Sequence, residues 1–278
     1  MLTPPNFLEL NRREIIMELD LGMPTLIELK DLDLCCKLCA DLGLKFIEIN
    51  MNLPMFQTHT INIDKLQKLK EEYGIYFTIH LDENLNVCDF NPLVCSAYNE
   101  TVLQAIHMAK RLDIPVLNMH MPEGVYFTLP DKKVFLFEQY KDTYFNALKK
   151  FMILCENAIG DGNVRISIEN CNGYEEFTKE GIELLLTSQI FTLTFDIGHS
   201  HSAGNRDEEF ILKYQSRLKH MHVHDAIGAK NHLVLGTGEI DLRKRLLLAE
   251  NGQCRCVLET KTVDGLKQSV EFLRKNCW

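Results

Sequence analysis

The ten residues Phe195-Asp196-Ile197-Gly198-His199-Ser200-His201-Ser202-Ala203-Gly204 place a carboxylate and an imidazole three positions apart where an apolar run stops. Ile190 to Phe195 reads as a buried strand that ends at Asp196, and the glycines on either side mark the turn that follows. An ionised carboxylate and a neutral imidazole facing one cavity are oxygen and nitrogen donors for a divalent metal. An Asp-x-x-His spacing is common by chance, so its weight depends on recurrence.

It recurs. The third apolar run ends in His80, the fourth in His120, the fifth in Glu169 and the sixth in Asp196. The seventh carries His222 and His224, and the eighth ends in Glu259. Taken singly, His80 or His120 would be an ordinary hydrogen-bonded histidine, and His232 a solvated loop residue. Glu169 and Glu259 differ, because a carboxylate closing an apolar strand is unfavourable unless a cation or hydrogen-bond donors meet it. His220, His222 and His224 alternate, so their side chains share one face of a strand. His222 stands at the depth of the other candidates, His220 reads as structural and His224 as a supporting group.

The elements that must position these residues alternate regularly. Strands are expected at Ile15–Leu21, Lys45–Asn50, Ile75–His80, Ile114–His120, Val164–Glu169, Ile190–Asp196, Leu218–His224 and Cys256–Thr260. Helical patterns fall between them: Asp31 to before Gly43, Asp64–Tyr73, a long segment ending near Leu112, Asp131–Ala158, Lys179–Thr187, Asp207–Tyr214, one starting at Asp241, and Asp264–Lys275. Eight strand-then-helix units without a linker predict one (β/α)8 barrel over residues 1–278, with 1–13 as an extension or short capping helix. The competing open, doubly wound sheet would bring a glycine-rich first turn, and neither G-x-G-x-x-G nor a Walker-type loop is present. In a barrel, all strand ends of one polarity lie on one face, so six consecutive strands deliver a His, Asp or Glu to a single rim.

Composition narrows the partners. A hydrophobic fraction of 46% and a charged fraction of 25% suit a soluble globular chain, and no apolar run reaches membrane-spanning length. The N-terminus lacks a signal-peptide core, which makes a cytoplasmic location the default. The net charge is −9 and basic residues cluster no further than pairs such as Lys149-Lys150, which disfavours nucleic acid. The ten cysteines lack two properly separated C-x-x-C pairs, so they read as reduced small hydrophobes.

Five stretches resemble the xylose-isomerase-like TIM barrels: TIHLDENLN with NMH, SIEN, FDIGHSHSAG, HMHVHD with HLVLGTGEID, and LET. That superfamily includes sugar isomerases and epimerases and the endonuclease IV group. The resemblance implies that Glu169, Asp196, His222 and Glu259 hold a divalent metal (manganese, zinc or cobalt), with Glu169 and Glu259 also carrying protons. It further implies an isomerase or epimerase acting on a small sugar or polyol through an enediolate, with His80, His120, His199, His224, Lys230 and His232 available to bind substrate. The alternative is a phosphodiesterase acting on abasic DNA, whose branch uses histidines matching His80, His120, His199 and His232. Here Lys230 replaces that branch's aspartate, and Asn170-Cys171-Asn172-Gly173-Tyr174 replaces its glycine-rich sequence. An ammonium has no lone pair for a metal, so one or two ions per chain are expected, with no third. Homo-oligomerisation is left open.

Overall fold

The computed structural model describes residues 19–276. Eight parallel strands close into a barrel: β1 (Asp20–Pro24), β2 (Phe46–Asn50), β3 (Tyr76–His80), β4 (Val116–His120), β7 (Arg165–Glu169), β8 (Phe191–Asp196), β9 (Leu218–Val223) and β12 (Arg255–Leu258). Each pairs with its neighbour in chain order, and β12 returns to β1 with Val257 opposite Gly22. Two antiparallel hairpins, β5 (Tyr126–Thr128) with β6 (Lys133–Phe135) and β10 (Asp225–Ile227) with β11 (Lys230–Leu233), interrupt the alternation.

Period-two alternation sorts the strand residues. On β2, Ile47 and Ile49 are buried in the apolar core with residues of the surrounding helices, such as Leu66 and Cys39. On β3, Phe77 and Ile79 join the same core. The other set, including Glu48, Thr78, Asn118, Ser167, Glu169, Thr194, Asp196, His220 and His222, is buried and polar. A polar barrel interior is costly unless its groups bond one another, and at mid-depth Thr194 Oγ1 lies 2.6 Å from Asn118 Oδ1 and 2.7 Å from Ser167 Oγ. The nine described cysteines are free and mostly buried; burial pushes the Cys36 thiol up to about 12, as for a packed apolar group.

Several boundaries differ from expectation. β1 runs to Pro24, later than the expected Ile15–Leu21, whose first residues lie outside the described ones, as does the extension at 1–13. Glycine is required at position 22, because a Cβ there would lie 2.6 Å from the Phe46 ring. The helix expected over Asp131–Ala158 starts later and is broken: Lys133–Phe135 is strand β6, and helices Leu136–Gln139 and Lys141–Ile159 follow. The segment after Asp196, expected as a loop, contains a short helix, Ile197–Ser202. Among the described residues no helix is long and apolar enough to cross a membrane.

One ion-pair cluster ties an outer helix to the barrel. Glu208 accepts from Arg245 Nη2 and Lys244 Nζ, each at 2.7 Å, while the Arg245 guanidinium lies 5.0 Å from the Phe195 ring centroid. The hydrogen bond from Arg245 brings the Glu208 carboxyl down to about 2. A lowered carboxyl pKa stabilises the folded state above the ordinary value of about 4.5, and that contribution is lost as pH falls from there toward about 2. Glu208→Gln is therefore expected to lower unfolding free energy by about 1–3 kcal/mol at neutral pH. The deficit should shrink on acidification in urea titrations; an equal deficit at pH 7 and pH 3 would show that the charge is not its source.

Candidate metal centre

His222 Nδ1 is the point on which the rim converges. Glu169 Oε1 lies 3.0 Å from it, Glu259 Oε2 3.2 Å and Asp196 Oδ2 3.7 Å. The strands fix this geometry. Asp196 and His222 are register partners on β8 and β9, and the Glu259 amide, just past β12, donates to Val223 O at 3.1 Å. Asp196 is further aimed by Asn170, whose Nδ2 donates to Asp196 O at 2.9 Å and whose Oδ1 accepts from Asp196 N at 2.8 Å. Asp196 also caps the Ile197–Ser202 helix, accepting from the His199 amide at 2.7 Å.

Three buried carboxylates around one imidazole are an electrostatic demand for positive charge. Burial alone would lower the His222 pKa, but the charges of Glu169, Glu48 and Glu259 outweigh it and hold it well above the imidazole range. Burial opposes ionisation of Glu169 as well, yet His222 and His120 hold its carboxyl well below the usual range. His222 Nδ1, His199 Nδ1 and Glu259 Oε2 are buried without a hydrogen-bond partner. Unpartnered nitrogen and oxygen donors facing one point are the chemistry of a divalent cation site, and Glu169, Asp196 and His222 come within 4.8 Å of one another. The donor set fits such an ion.

A second donor group adjoins the first through Glu169. His80 donates Nδ1–H to Leu81 O at 2.7 Å, which turns Nε2 toward Glu169 Oε2 at 3.2 Å. His120 Nε2 approaches the same oxygen at 3.4 Å, its ring edge-on to His80 at 5.0 Å. The Asn118 amide also donates to Glu169 Oε2. Glu169 thus presents one oxygen to His222 and the other to His80 and His120.

The third group is built differently. Gly198 has no side chain because the His224 ring occupies that space; a Cβ there would lie 1.9 Å from its Cε1. His224 accepts the His232 amide proton at Nδ1, 2.8 Å away, and faces Asp196 Oδ1 from Nε2 at 3.0 Å. Both ring nitrogens are engaged. His232 adopts φ +55° and bonds Glu259 O from Nδ1 at 3.1 Å; burial and the neighbouring His224 lower it to about 4. Lys230 stands exposed on the β10–β11 hairpin, opposite Ile227. The lysine brought against the carboxylates is Lys261, whose ammonium bonds Glu259 Oε1.

Two residues of the site were therefore missed in the sequence: Lys261, two positions after Glu259, and Glu48. Glu48 is a buried carboxylate on β2 that bonds His222 and His220. The signal for Glu48 existed, since a glutamate between Ile47 and Ile49 in an apolar strand must face the barrel axis. A cavity of about 350 Å³ opens beside Glu259, with Asn50, Asn52, Glu83 and Lys261 offering polar groups and Leu26 and Leu53 an apolar wall.

Known proteins resemble this chain in sequence or in fold. An uncharacterized protein of Methanocaldococcus jannaschii is 27% identical over 217 residues, spanning 75% of this chain and 80% of that protein. A D-tagatose 3-epimerase-like protein superposes with a TM-score of 0.73 at 24% identity, covering 93% of this chain and 97% of its own. The 3-keto-D-glucoside 4-epimerase of E. coli superposes with a TM-score of 0.72 at 14% identity, covering 92% and 99%. At these identities the two structures share the fold. Residues 36–276 match the xylose isomerase-like TIM barrel family, and with its closed eight-stranded barrel the chain belongs to that family.

Proposed function

We propose that the protein is a divalent-metal-dependent isomerase or epimerase acting on a small sugar or polyol. The observation that carries the reading is the placement of Glu169 and Glu259 at 3.0 and 3.2 Å from one unpartnered nitrogen of His222, with a cavity opening beside Glu259. A divalent ion held by Glu169, Asp196, His222 and Glu259 would chelate neighbouring substrate oxygens and stabilise negative charge developing on them. The two glutamates reach that space from different strands, so one can take a proton from the carbon beside a carbonyl and the other return it on the opposite face. Their surroundings differ: Glu169 is held by Asn118 and the His80–His120 pair, Glu259 by Lys261. His199 and His232, each about one-fifth exposed, stand where hydroxyls of a bound polyol would meet them. The epimerases that share the fold support this reading.

Turnover of ketoses in D2O with manganese, cobalt or zinc tests it. One deuteron should appear at the carbon alpha to the carbonyl per epimerisation. The second donor group of His80, His120 and Glu169 favours a phosphodiesterase instead, since paired ions activate water and neutralise a phosphate. No deuterium incorporation into any ketose, together with incision of a duplex carrying an abasic site, would favour that alternative.

A further inference from the structure

Glu48 lies beneath the proposed ion rather than beside it. It is 2% exposed and points into the barrel because its neighbours Ile47 and Ile49 pack outward. Its Oε1 is 2.7 Å from His222 Nε2; its Oε2 is 2.8 Å from His220 Nε2 and 3.1 Å from Thr78 Oγ1. An ionised carboxylate only accepts, so each of these partners donates. A proton fixed on His222 Nε2 leaves the ring one lone pair, at Nδ1, which is the nitrogen facing Glu169, Asp196 and Glu259.

We infer that Glu48 is the positioning residue of this site: it selects the nitrogen that His222 presents and thereby sets the affinity for a divalent ion. This rests on the reading above that Glu169, Asp196, His222 and Glu259 hold that ion. Glu48 is not itself a ligand there, since the His222 ring stands between it and the three carboxylates. Nor do Glu48, His220 and His222 form a separate ion site. Their nitrogen–oxygen separations of 2.7 and 2.8 Å are direct hydrogen bonds, shorter than the roughly 3.3 Å between donors on a tetrahedral zinc. His220 and Thr78 serve instead to hold the carboxylate in place, occupying the oxygen that His222 does not use. A carboxylate behind a metal-facing histidine raises the ring's basicity and fixes its orientation, and its loss typically weakens metal binding 10–100-fold.

Glu48→Gln is nearly isosteric but offers one acceptor and one amide donor in place of two acceptors. It can accept from one histidine while turning an amide donor to the other, and either way it removes the negative charge behind His222. Manganese affinity, followed by the electron paramagnetic resonance of free Mn²⁺, should fall about 10–100-fold relative to the unaltered protein. An affinity within twofold would overturn the inference. A second measurement needs no variant. In protein labelled with 15N-histidine, His222 should carry its proton on Nε2 both without metal and with one equivalent of Zn²⁺, and an unprotonated Nε2 in either state would overturn the assignment even if the variant does not fold. Failure of the unaltered protein to bind manganese at all would instead overturn the metal reading, and with it the affinity effect, while the proton position would still be read independently.

Discussion

Glu259→Gln is expected to lower kcat by at least about 10²–10⁴-fold, the usual contribution of one positioned acid–base group. The substitution removes two functions from one side chain. Its Oε2 faces His222 Nδ1 at 3.2 Å, where a neutral amide is a poorer ligand, and the amide cannot carry the proton that epimerisation moves. The fold should survive, because glutamine has the same shape and the Glu259 backbone keeps its bonds to Val223 O and His232. Measured at saturating metal, the loss should fall on kcat, with deuterium incorporation falling in parallel and the circular dichroism spectrum unchanged. Full deuterium exchange in the variant would remove Glu259 from the proton-transfer role and leave Glu169 to act alone.

The residues that the sequence revealed and those it hid differ in how they reach the site. Glu169 and Asp196 close apolar strands, and a charge at such a position is conspicuous because the preceding residues are core. His80 and His120 share that signature. Glu48 sits two residues below the end of β2, so a search confined to strand ends passes over it, although alternation with Ile47 and Ile49 aims it at the axis. Lys261 and Lys230 show the opposite difficulty. Both follow a rim residue by a few positions or stand beside one, and only the backbone decides which turns inward. Lys261 does so from a left-handed conformation at φ +52°, whereas the β10–β11 hairpin holds Lys230 in solvent. The β5–β6 hairpin was hidden for a related reason. Its strands are three residues each and largely exposed, so they carry no burial pattern to distinguish them from the start of a helix.

Removing and restoring the ion should change stability as strongly as it changes activity. Glu48, Glu169, Asp196 and Glu259 are all buried about His222, and without a metal ion their mutual repulsion is relieved by protons on the histidines and by the Lys261 ammonium at Glu259. An ion that binds the folded chain alone adds about 2.7 kcal/mol of stability at one hundred times its Kd. For a chain of this length each kcal/mol moves Tm by roughly 2–4 °C. Exhaustive chelation should therefore lower Tm by roughly 5–10 °C, and reloading should restore both Tm and turnover. Elemental analysis of the reloaded protein should give one or two ions per chain, since two donor groups share Glu169. The third group lacks the donors: His224 has both nitrogens engaged, and Lys230 supplies no lone pair. His199 and His232 alone fall short of the three protein ligands usual for a catalytic ion. An unchanged Tm after chelation would contradict the metal reading itself, whereas three tightly held ions would favour phosphodiester hydrolysis over epimerisation.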